Sequence, residues 1–578
     1  MGASGGAHLA PDAPQLYVRW ADIVLRWRDL QMTVASQQRL RRGPRSAPGG
    51  SRRAVLRLTR ASAAAWLAGC LVAAAPLSAQ SFDLIETTIA EVHAAMERGE
   101  LTCRTLVQGY LDRIEAYDQT GPRLNTVQTL NERALDEADA LDRERAAGGI
   151  GRPLHCVPVL LKDQVETSDM PTLYGSALFE GFVPHRDATL TLRLKGAGAI
   201  ILAKTTMGEF ASRYVGSAFG VIRNPYAPDR NPSGSSGGTG SGIAANLGLV
   251  GIGEDTGGSV RGPAAVASLV GLRPTLQLVS RHGMMPANPT QDTMGPMTRT
   301  VADAAIVLDA IAGYDPADPI TAYSVGHVPE SYTDFLDAGS LDGARIGVLR
   351  DPMDARADPG SEGYREVRAI IDRAIRDLAS LGADVVDPVS ISDLDLVGGI
   401  GNVYETERAT DDYLAEHPNA PVRSLAEILM AGVVVPWRAV GMMASVGKTT
   451  DDPGYLEVMR KREVLRVAVL QAMADHELDA IVYATFDHPP SLISLDAETN
   501  PDPADDYGLG DNRGLSPAIG FPALTVPAGF TSDGLPVGLE LLGRPWSDGM
   551  LLGYAYAYEQ AFPRRRPPPT APPLGGGR

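Results

Sequence analysis

The sequence predicts an α/β fold in which helices pack against buried strands. Apolar residues recur at helical spacing from Asp83 to about Tyr117, which indicates two helices. Short apolar runs at 157–161 and 199–203 then alternate with helical stretches such as 187–196, as in layered α/β proteins. With 44% hydrophobic and 21% charged residues, the 578-residue chain has the composition of a globular protein with a sizeable core.

The overall charge limits the classes of partner. The formal net charge is −18 and the isoelectric point is about 5.0. Nucleic acids and anionic membranes bind surfaces with an excess of lysine and arginine. We therefore expect neither a nucleic-acid partner nor a stable membrane association, and the oligomeric state is left open.

The first 79 residues predict an N-terminal extension followed by a cleavable signal peptide. Arginines recur between positions 39 and 60, and an apolar run at 61–75 follows and ends at Pro76. This run is too short to cross a bilayer comfortably. Arg52 and Arg53 lie in the segment SRRAVLR, which is typical of a twin-arginine signal. We predict cleavage near Ala79 and export, in a bacterium to the periplasm.

Two alternatives concern the same leader. The segment LAGC at 67–70 resembles a lipoprotein cleavage box, which would anchor the chain at Cys70, but the apolar run continues beyond it. Translation starting at Met32 instead of Met1 would shorten the extension without affecting the signal.

Cysteine usage favours two free thiols in the mature chain. Only Cys103 and Cys156 remain after cleavage, too few for a disulfide framework, although one bridge is possible. No cysteine pair has metal-ligand spacing, and we expect neither a metal nor a cofactor.

The rest of the chain predicts one domain at 83–563 and a tail. Residues 231–262 are rich in glycine and serine but include an apolar run, which indicates loops whose backbone closely approaches another group. Residues 340–480 are predicted to be mostly helical, and 519–545 to contain strands. The Pro/Gly-rich tail at 564–578 is predicted to be disordered.

Two segments of the sequence indicate catalysis by a serine nucleophile. Ser259 follows two glycines and a threonine, and such small residues let backbone N–H groups converge on a developing oxyanion. A serine nucleophile needs a base, and the nine histidines are scattered. Lys162 ends the apolar run at 157–161, where it either extends to solvent or is desolvated in the neutral form that accepts protons. The second case makes Lys162 the group that sets the acidic limb of the pH–rate profile.

Three motifs together are similar to those of the amidase signature family. They are VLLKDQVET, NPSGSSGGTGSG and GEDTGGSVRGPAA, in the family's order, and the likeness extends from about Asp83 to Ala561. The resemblance implies a single domain with a mixed central β-sheet covered by helices on both faces. It also implies hydrolysis of amides, R-CO-NH2, to acid and ammonia without a cofactor, and it is nearest to exported bacterial peptide amidases.

Carried over by position, the resemblance assigns a serine–serine–lysine triad. Ser259 becomes the nucleophile, Ser235 the bridging residue after a cis peptide bond, and Lys162 the base. The implied oxyanion hole consists of the backbone N–H groups of Thr256, Gly257, Gly258 and Ser259. Three further residues match the motif and are expected to orient the loops: Ser236, Asp255 and Arg261. Ser233 and Glu254 depart from the family pattern, which affects expectations for loop detail and substrate fit.

Other serine and lysine motifs are weaker. Gly234 to Gly238 satisfies G-x-S-x-G with Ser236 as nucleophile, but the preceding 228–232 contains two prolines and does not predict the required strand. Ser445 to Lys448 has S-x-x-K spacing without the companion motifs. Lys204 also ends a buried run, but its counterpart in the family is not a triad member.

Two other functions stay open. One is a catalytically silent binding protein on the same fold, which an intact triad disfavours. The other is an amidotransferase subunit, which an export signal disfavours. A peptide C-terminal amide is the expected substrate among several amide classes, and residues 398–461 are expected to shape the acyl pocket.

Overall fold

An eleven-stranded mixed sheet runs through the centre of the protein, and helices flank it. The computed structural model describes residues 82–399, 401–503 and 506–575, so the predicted extension and signal peptide lie outside the described residues. The fold class predicted from the sequence is confirmed.

The described residues contain thirteen strands. They are β1 (Val127–Leu130), β2 (Pro158–Lys162), β3 (Ile200–Thr205), β4 (Val215–Gly216), β5 (Gly220–Val221), β6 (Val250–Asp255), β7 (Val270–Arg273), β8 (Thr293–Thr298), β9 (Arg345–Leu349), β10 (Asp384–Val389), β11 (Ala480–Ala484), β12 (Ala523–Phe530) and β13 (Pro536–Leu542). The sheet order is β1-β3-β2-β6-β8-β7-β12-β13-β11-β9-β10, and β4 and β5 form a separate hairpin.

Fourteen α-helices lie in the described part of the chain. They are α1 (Ile89–Glu97), α2 (Cys103–Tyr117), α3 (Ala134–Gly148), α4 (Thr189–Gly196), α5 (Gly237–Ala244), α6 (Arg261–Ala265), α7 (Val301–Ile311), α8 (Glu362–Ser380), α9 (Thr406–Ala415), α10 (Leu425–Met430), α11 (Pro436–Met443), α12 (Pro453–Asp475), α13 (Leu515–Ile519) and α14 (Asp548–Ala561). No helix among these residues is long and apolar enough to span a bilayer.

The opening helices confirm the periodicity at the start of the mature chain. Thr88 and Thr102 cap α1 and α2, and each threonine accepts a hydrogen bond from the backbone of the residue three positions on. The stretch 340–480, predicted to be mostly helical, contains the helices α8 to α12 and two strands, β9 and β10.

Two parallel strands position the site. β2 pairs in parallel with β6, and Leu161 lies opposite Ile252. The carboxyl ends of parallel neighbours meet at one edge of a sheet, where ligands commonly bind. Lys162 and Asp255 end these two strands, so the lysine motif and the Ser259 motif are brought together at this edge.

The prediction of free thiols was wrong. Cys103 and Cys156 form a disulfide with their Cα atoms 5.5 Å apart. Cys103 begins α2 and Cys156 lies two residues before β2, so the bridge joins that helix to the start of the strand. A 53-residue separation gives no sequence signal, but such a crosslink is worth about 4 kcal/mol in the chain-entropy account.

The tail prediction was also wrong for residues 564–575, which pack against the domain. The guanidinium of Arg113 donates hydrogen bonds to the carbonyl oxygens of Ala571 and Pro572, each at 2.9 Å. Arg565 pairs with Glu86 at 2.6 Å. A proline-rich extended segment leaves its carbonyl groups free, so these can accept hydrogen bonds from a buried arginine.

Candidate active site

Lys162 is completely buried at the carboxyl end of β2. Its Nζ lies 2.7 Å from Ser235 Oγ, 2.7 Å from Glu254 Oε2 and 3.2 Å from the Glu254 carbonyl oxygen. The lysine therefore does not extend to solvent, and its amine is fixed against a serine hydroxyl.

Ser235 lies in the loop before α5 and follows a cis peptide bond from Gly234. A side chain at Gly234 would overlap the carbonyl oxygen of Arg213, so only glycine fits this loop. The Ser235 carbonyl accepts a hydrogen bond from the Gly208 N–H at 3.0 Å. These contacts hold the Ser235 hydroxyl against Lys162.

The alternative nucleophile, Ser236, is occupied by structural contacts. It is completely buried, its hydroxyl lies 3.2 Å from the Glu254 carbonyl oxygen, and the Glu254 N–H lies 3.3 Å from the same hydroxyl. No strand is described between residues 222 and 236, so the strand that a nucleophile elbow requires is missing there. Ser236 instead ties its loop to β6.

Ser259 lies in the turn between β6 and α6, and the Asp255 carboxylate fixes this turn. Asp255 accepts hydrogen bonds from the N–H groups of Gly258 at 2.7 Å and Val260 at 3.2 Å. Burial alone would raise the pKa of Asp255, but the buried guanidiniums of Arg261 and Arg273 hold it well below its ordinary value. Asp255 thus remains an ionised acceptor throughout the neutral range.

The hydrogen bond from Gly258 to Asp255 removes one of the four N–H groups that were expected to form the oxyanion hole. The Gly258 N–H donates to Asp255, so it is not available to a substrate. Within the described chain, the N–H groups of Thr256, Gly257 and Ser259 have no acceptor.

The open side of the turn is next to Ser259. A side chain added at Gly257 would meet nothing within 4 Å, so the turn borders open space. Ser259 is 9% exposed, and its hydroxyl makes no hydrogen bond to any described residue, Ser235 included. A free hydroxyl beside free N–H groups is the arrangement that an acyl-transfer nucleophile needs.

Arg261 is buried beside the turn and is paired with several other residues. It is completely buried and forms ion pairs with Asp255, at 3.2 Å, and with Glu540. It also donates a hydrogen bond to the Arg513 carbonyl oxygen at 2.9 Å. These contacts join the loop to β13 and to Arg513, and the orienting role of Arg261 stays a prediction.

Arg513 was missed by the sequence reading, although it joins both serine loops. Its Nη1 donates to the carbonyl oxygens of Gly234 at 3.3 Å and Gly258 at 3.0 Å. Asp511 pairs with the guanidinium at 2.5 Å, and Phe486 stacks against it at 4.6 Å. The only local sequence signal is a charged residue directly before the apolar segment of α13.

A second carboxylate, Asp292, was also missed. Thr256 Oγ1 lies 2.6 Å from Glu254 Oε1 and 2.8 Å from Asp292 Oδ1. Burial, with a further contribution from the charge of Glu254, raises the pKa of Asp292 to about 7. The site therefore contains two buried carboxyl groups bridged by one hydroxyl.

Lys204 does not reach the serines. It lies on β3, and its Nζ is 2.7 Å from Thr172 Oγ1 and 3.5 Å from Asp163 Oδ1. In the register of β2 and β3, Leu161 lies opposite Lys204, so Lys162 and Lys204 point to different faces of the sheet.

A narrow cavity is lined by residues close in sequence to the site, although Lys162, Ser235 and Ser259 do not line it. It is lined by Gln164, Tyr174, Met207, Phe210, Thr406, Thr410, Arg438 and Met442. Gln164 lies two residues after Lys162, and Met207 directly precedes the Gly208 that binds Ser235. The other wall comes from α9 and α11, within the segment expected to shape the acyl pocket.

Relatives of known sequence resemble the chain over most of its length. A family model described as Amidase matches residues 105–552. A probable amidase of Arabidopsis thaliana is 33% identical over 515 residues, 84% of this chain and 92% of the relative. The A subunit of the glutamyl-tRNA(Gln) amidotransferase of Thermosynechococcus vestitus is 34% identical over 493 residues, 82% of this chain and 98% of the subunit.

A solved structure is similar over a comparable length. The native peptide amidase of Stenotrophomonas maltophilia superposes with a TM-score of 0.75 at 38% identity and covers 84% of this chain and 98% of its own. Together with the family match, this structure identifies the enzyme class. The chain belongs to the amidase family and is an amide hydrolase.

Proposed function

We propose that the enzyme hydrolyses amides through an acyl-enzyme on Ser259, with Lys162 supplying base catalysis through Ser235. The observation that carries this proposal is the 2.7 Å contact between Lys162 Nζ and Ser235 Oγ at the sheet edge where the Ser259 turn begins. A serine hydroxyl attacks poorly unless a neighbouring group removes its proton.

We propose the following course for the reaction. The substrate carbonyl oxygen binds against the N–H groups of Thr256, Gly257 and Ser259, which stabilise the negative charge of the tetrahedral intermediate. Ser259 Oγ attacks the carbonyl carbon while its proton passes to Ser235, and the Ser235 proton passes towards Lys162. The proton then returns to the leaving nitrogen, ammonia departs, and water hydrolyses the acyl-enzyme by the same steps.

For the substrate we propose the C-terminal amide of a peptide. The likeness to the Stenotrophomonas maltophilia peptide amidase supports this class. The amidotransferase subunit is the second candidate because its identity to this chain is nearly as high.

The purified chain alone is expected to release ammonia from peptide amides. The test compares a short peptide amide, its free-acid form, glutamine and a small aryl amide, with ammonia and product mass as readouts. Conversion of the peptide amide to the acid without a partner supports the proposal. Ammonia release from glutamine alone, with the peptide amide intact, would favour the amidotransferase reading.

We propose that the enzyme works outside the cytoplasm, in the periplasm of a bacterium. The twin-arginine segment supports this location, and so does the Cys103–Cys156 disulfide, because structural disulfides persist in oxidising compartments. Replacing Arg52 and Arg53 by lysine is expected to retain the precursor in the cytoplasm, as measured by fractionation and N-terminal sequencing. Unimpaired export, or a mature N-terminus at an acylated Cys70, would contradict the proposal.

A further inference from the structure

A buried carboxylate faces the lysine at the centre of the triad. Glu254, in β6, is completely buried, and its Oε2 lies 2.7 Å from Lys162 Nζ. Glu254 is one of the two positions that depart from the family pattern. A buried ion pair contributes little to stability compared with apolar packing, so its presence calls for another role.

The contacts of Lys162 fit its charged form. An ammonium group has three N–H donors and no acceptor. Ser235 Oγ, the Glu254 carbonyl oxygen and Glu254 Oε2 are three acceptors at 2.7, 3.2 and 2.7 Å. In this form Lys162 has no lone pair for the Ser235 proton, so a second group must take up a proton if the triad is to act as a base.

One oxygen of the Glu254 carboxylate, Oε2, is available to accept that proton. Thr256 Oγ1 has one proton but lies within hydrogen-bond distance of both Glu254 Oε1 and Asp292 Oδ1. A protonated Asp292 donates a hydrogen bond to the Thr256 hydroxyl. Thr256 then donates its own hydrogen bond to Glu254 Oε1. Glu254 Oε2 is left facing Lys162.

Charges on the neighbouring elements surround the pair from several sides. Lys162 approaches Glu254 from β2, the charge of Arg273 acts on it from β7, and Asp292 lies directly before β8. Arg281 acts on Asp292 in turn. Within this set, Lys162 is the charged group in direct hydrogen-bond contact with Glu254.

We propose that Glu254 shares the catalytic proton with Lys162, so that the base of this amidase is the Lys162–Glu254 pair. The inference rests on the proposed function. As Ser259 gives its proton to Ser235 and Ser235 gives its own to Lys162, one Lys162 N–H bond breaks and a Glu254 O–H bond forms. The net movement is one proton from Ser259 Oγ to Glu254 Oε2, and the reverse steps deliver it to the leaving nitrogen. Glu254 acts through Lys162 and does not itself touch the substrate.

The proposed proton transfer predicts the direction in which the pH–rate profile moves when Glu254 is replaced. In the wild type the carboxylate takes up the transferred proton, so Lys162 can keep its charge throughout the cycle. In Glu254→Gln, Lys162 must itself be neutral. The acidic limb is therefore expected to move to higher pH by at least about one unit, which lowers kcat/KM on that limb about tenfold or more and restores part of it at alkaline pH.

The matched control is Asp163→Asn, which neutralises another buried carboxylate beside a buried lysine, Lys204, away from the serines. This variant is expected to lose stability but to keep the wild-type limb. Glu254→Asp keeps the charge and withdraws it from Lys162, so its limb should fall between those of the wild type and Glu254→Gln. It also provides a folded comparison if the glutamine variant is unstable.

Kinetics are measured per active site, counted by fluorophosphonate labelling. An unmoved limb in Glu254→Gln, or in Glu254→Asp where the glutamine variant does not fold, would show that Glu254 is only a counter-ion and would overturn the inference. An active Ser259→Ala variant would instead contradict the proposed function, so the two failures are distinguishable.

Discussion

Ser259→Ala is expected to lower kcat for amide hydrolysis by at least ~10⁴-fold, because no acyl-enzyme can form without the hydroxyl and triad members act as a unit. The fold should be unaffected, since the Ser259 hydroxyl makes no hydrogen bond to any described residue. The measurement is the rate of ammonia release by the purified variant, alongside thermal unfolding.

Ser236→Ala is the matched control for that result. Its hydroxyl contacts the Glu254 backbone, so the variant should lose some stability but keep more turnover than Ser259→Ala. The opposite order, with Ser236→Ala inactive and Ser259→Ala close to wild type, would establish the G-x-S-x-G interpretation.

Lys162→Met has the second largest expected effect, a loss of about 10³-fold or more in kcat. Base catalysis commonly contributes 10²–10⁴-fold, and here the lysine is the group in contact with the bridging Ser235. The variant should also unfold more readily, by about 3–5 kcal/mol, because Glu254 is left as a buried charge without its partner.

The double variant Lys162→Met/Glu254→Gln separates these two effects. It removes both charges, so we expect most of the stability to return while kcat stays low. Denaturant unfolding and ammonia release are measured on the same samples. Recovery of activity together with stability would show that Lys162 is structural and not a base.

The sequence predicted the parts of the site that are local in the chain. Apolar runs predicted β2 and β3, and the alternation of strands and helices predicted the fold class. Lys162 at the end of a buried run and Ser259 after two glycines were found in the same way, because each lies in a short motif. The pairing of β2 with β6 then explains why two distant motifs share one edge.

Contacts that depend on packing could not be predicted. Arg513 joins the two serine loops from about 250 residues away in sequence, and Asp292 reaches Thr256 from the segment before β8. The sequence identified Glu254 as a departure from the family pattern. Because the strand is buried throughout, the sequence does not show to which face of the sheet Glu254 points. Its ion pair with Lys162 emerged only from the structure.

The disulfide and the tail were mispredicted for related reasons. Two cysteines 53 residues apart give no pairing signal, and only the tertiary fold brings them together. A proline-rich composition predicts disorder for an isolated segment, but here Arg113 and Glu86 offer partners to the tail.

The most direct test is the position at which a fluorophosphonate labels the wild-type enzyme, read by peptide mapping with mass spectrometry. We expect one label per chain on Ser259, because its unpaired hydroxyl lies beside N–H groups that are available to the phosphoryl oxygen. A label on Ser235 or Ser236, or an amidase that turns over but does not react, would contradict it.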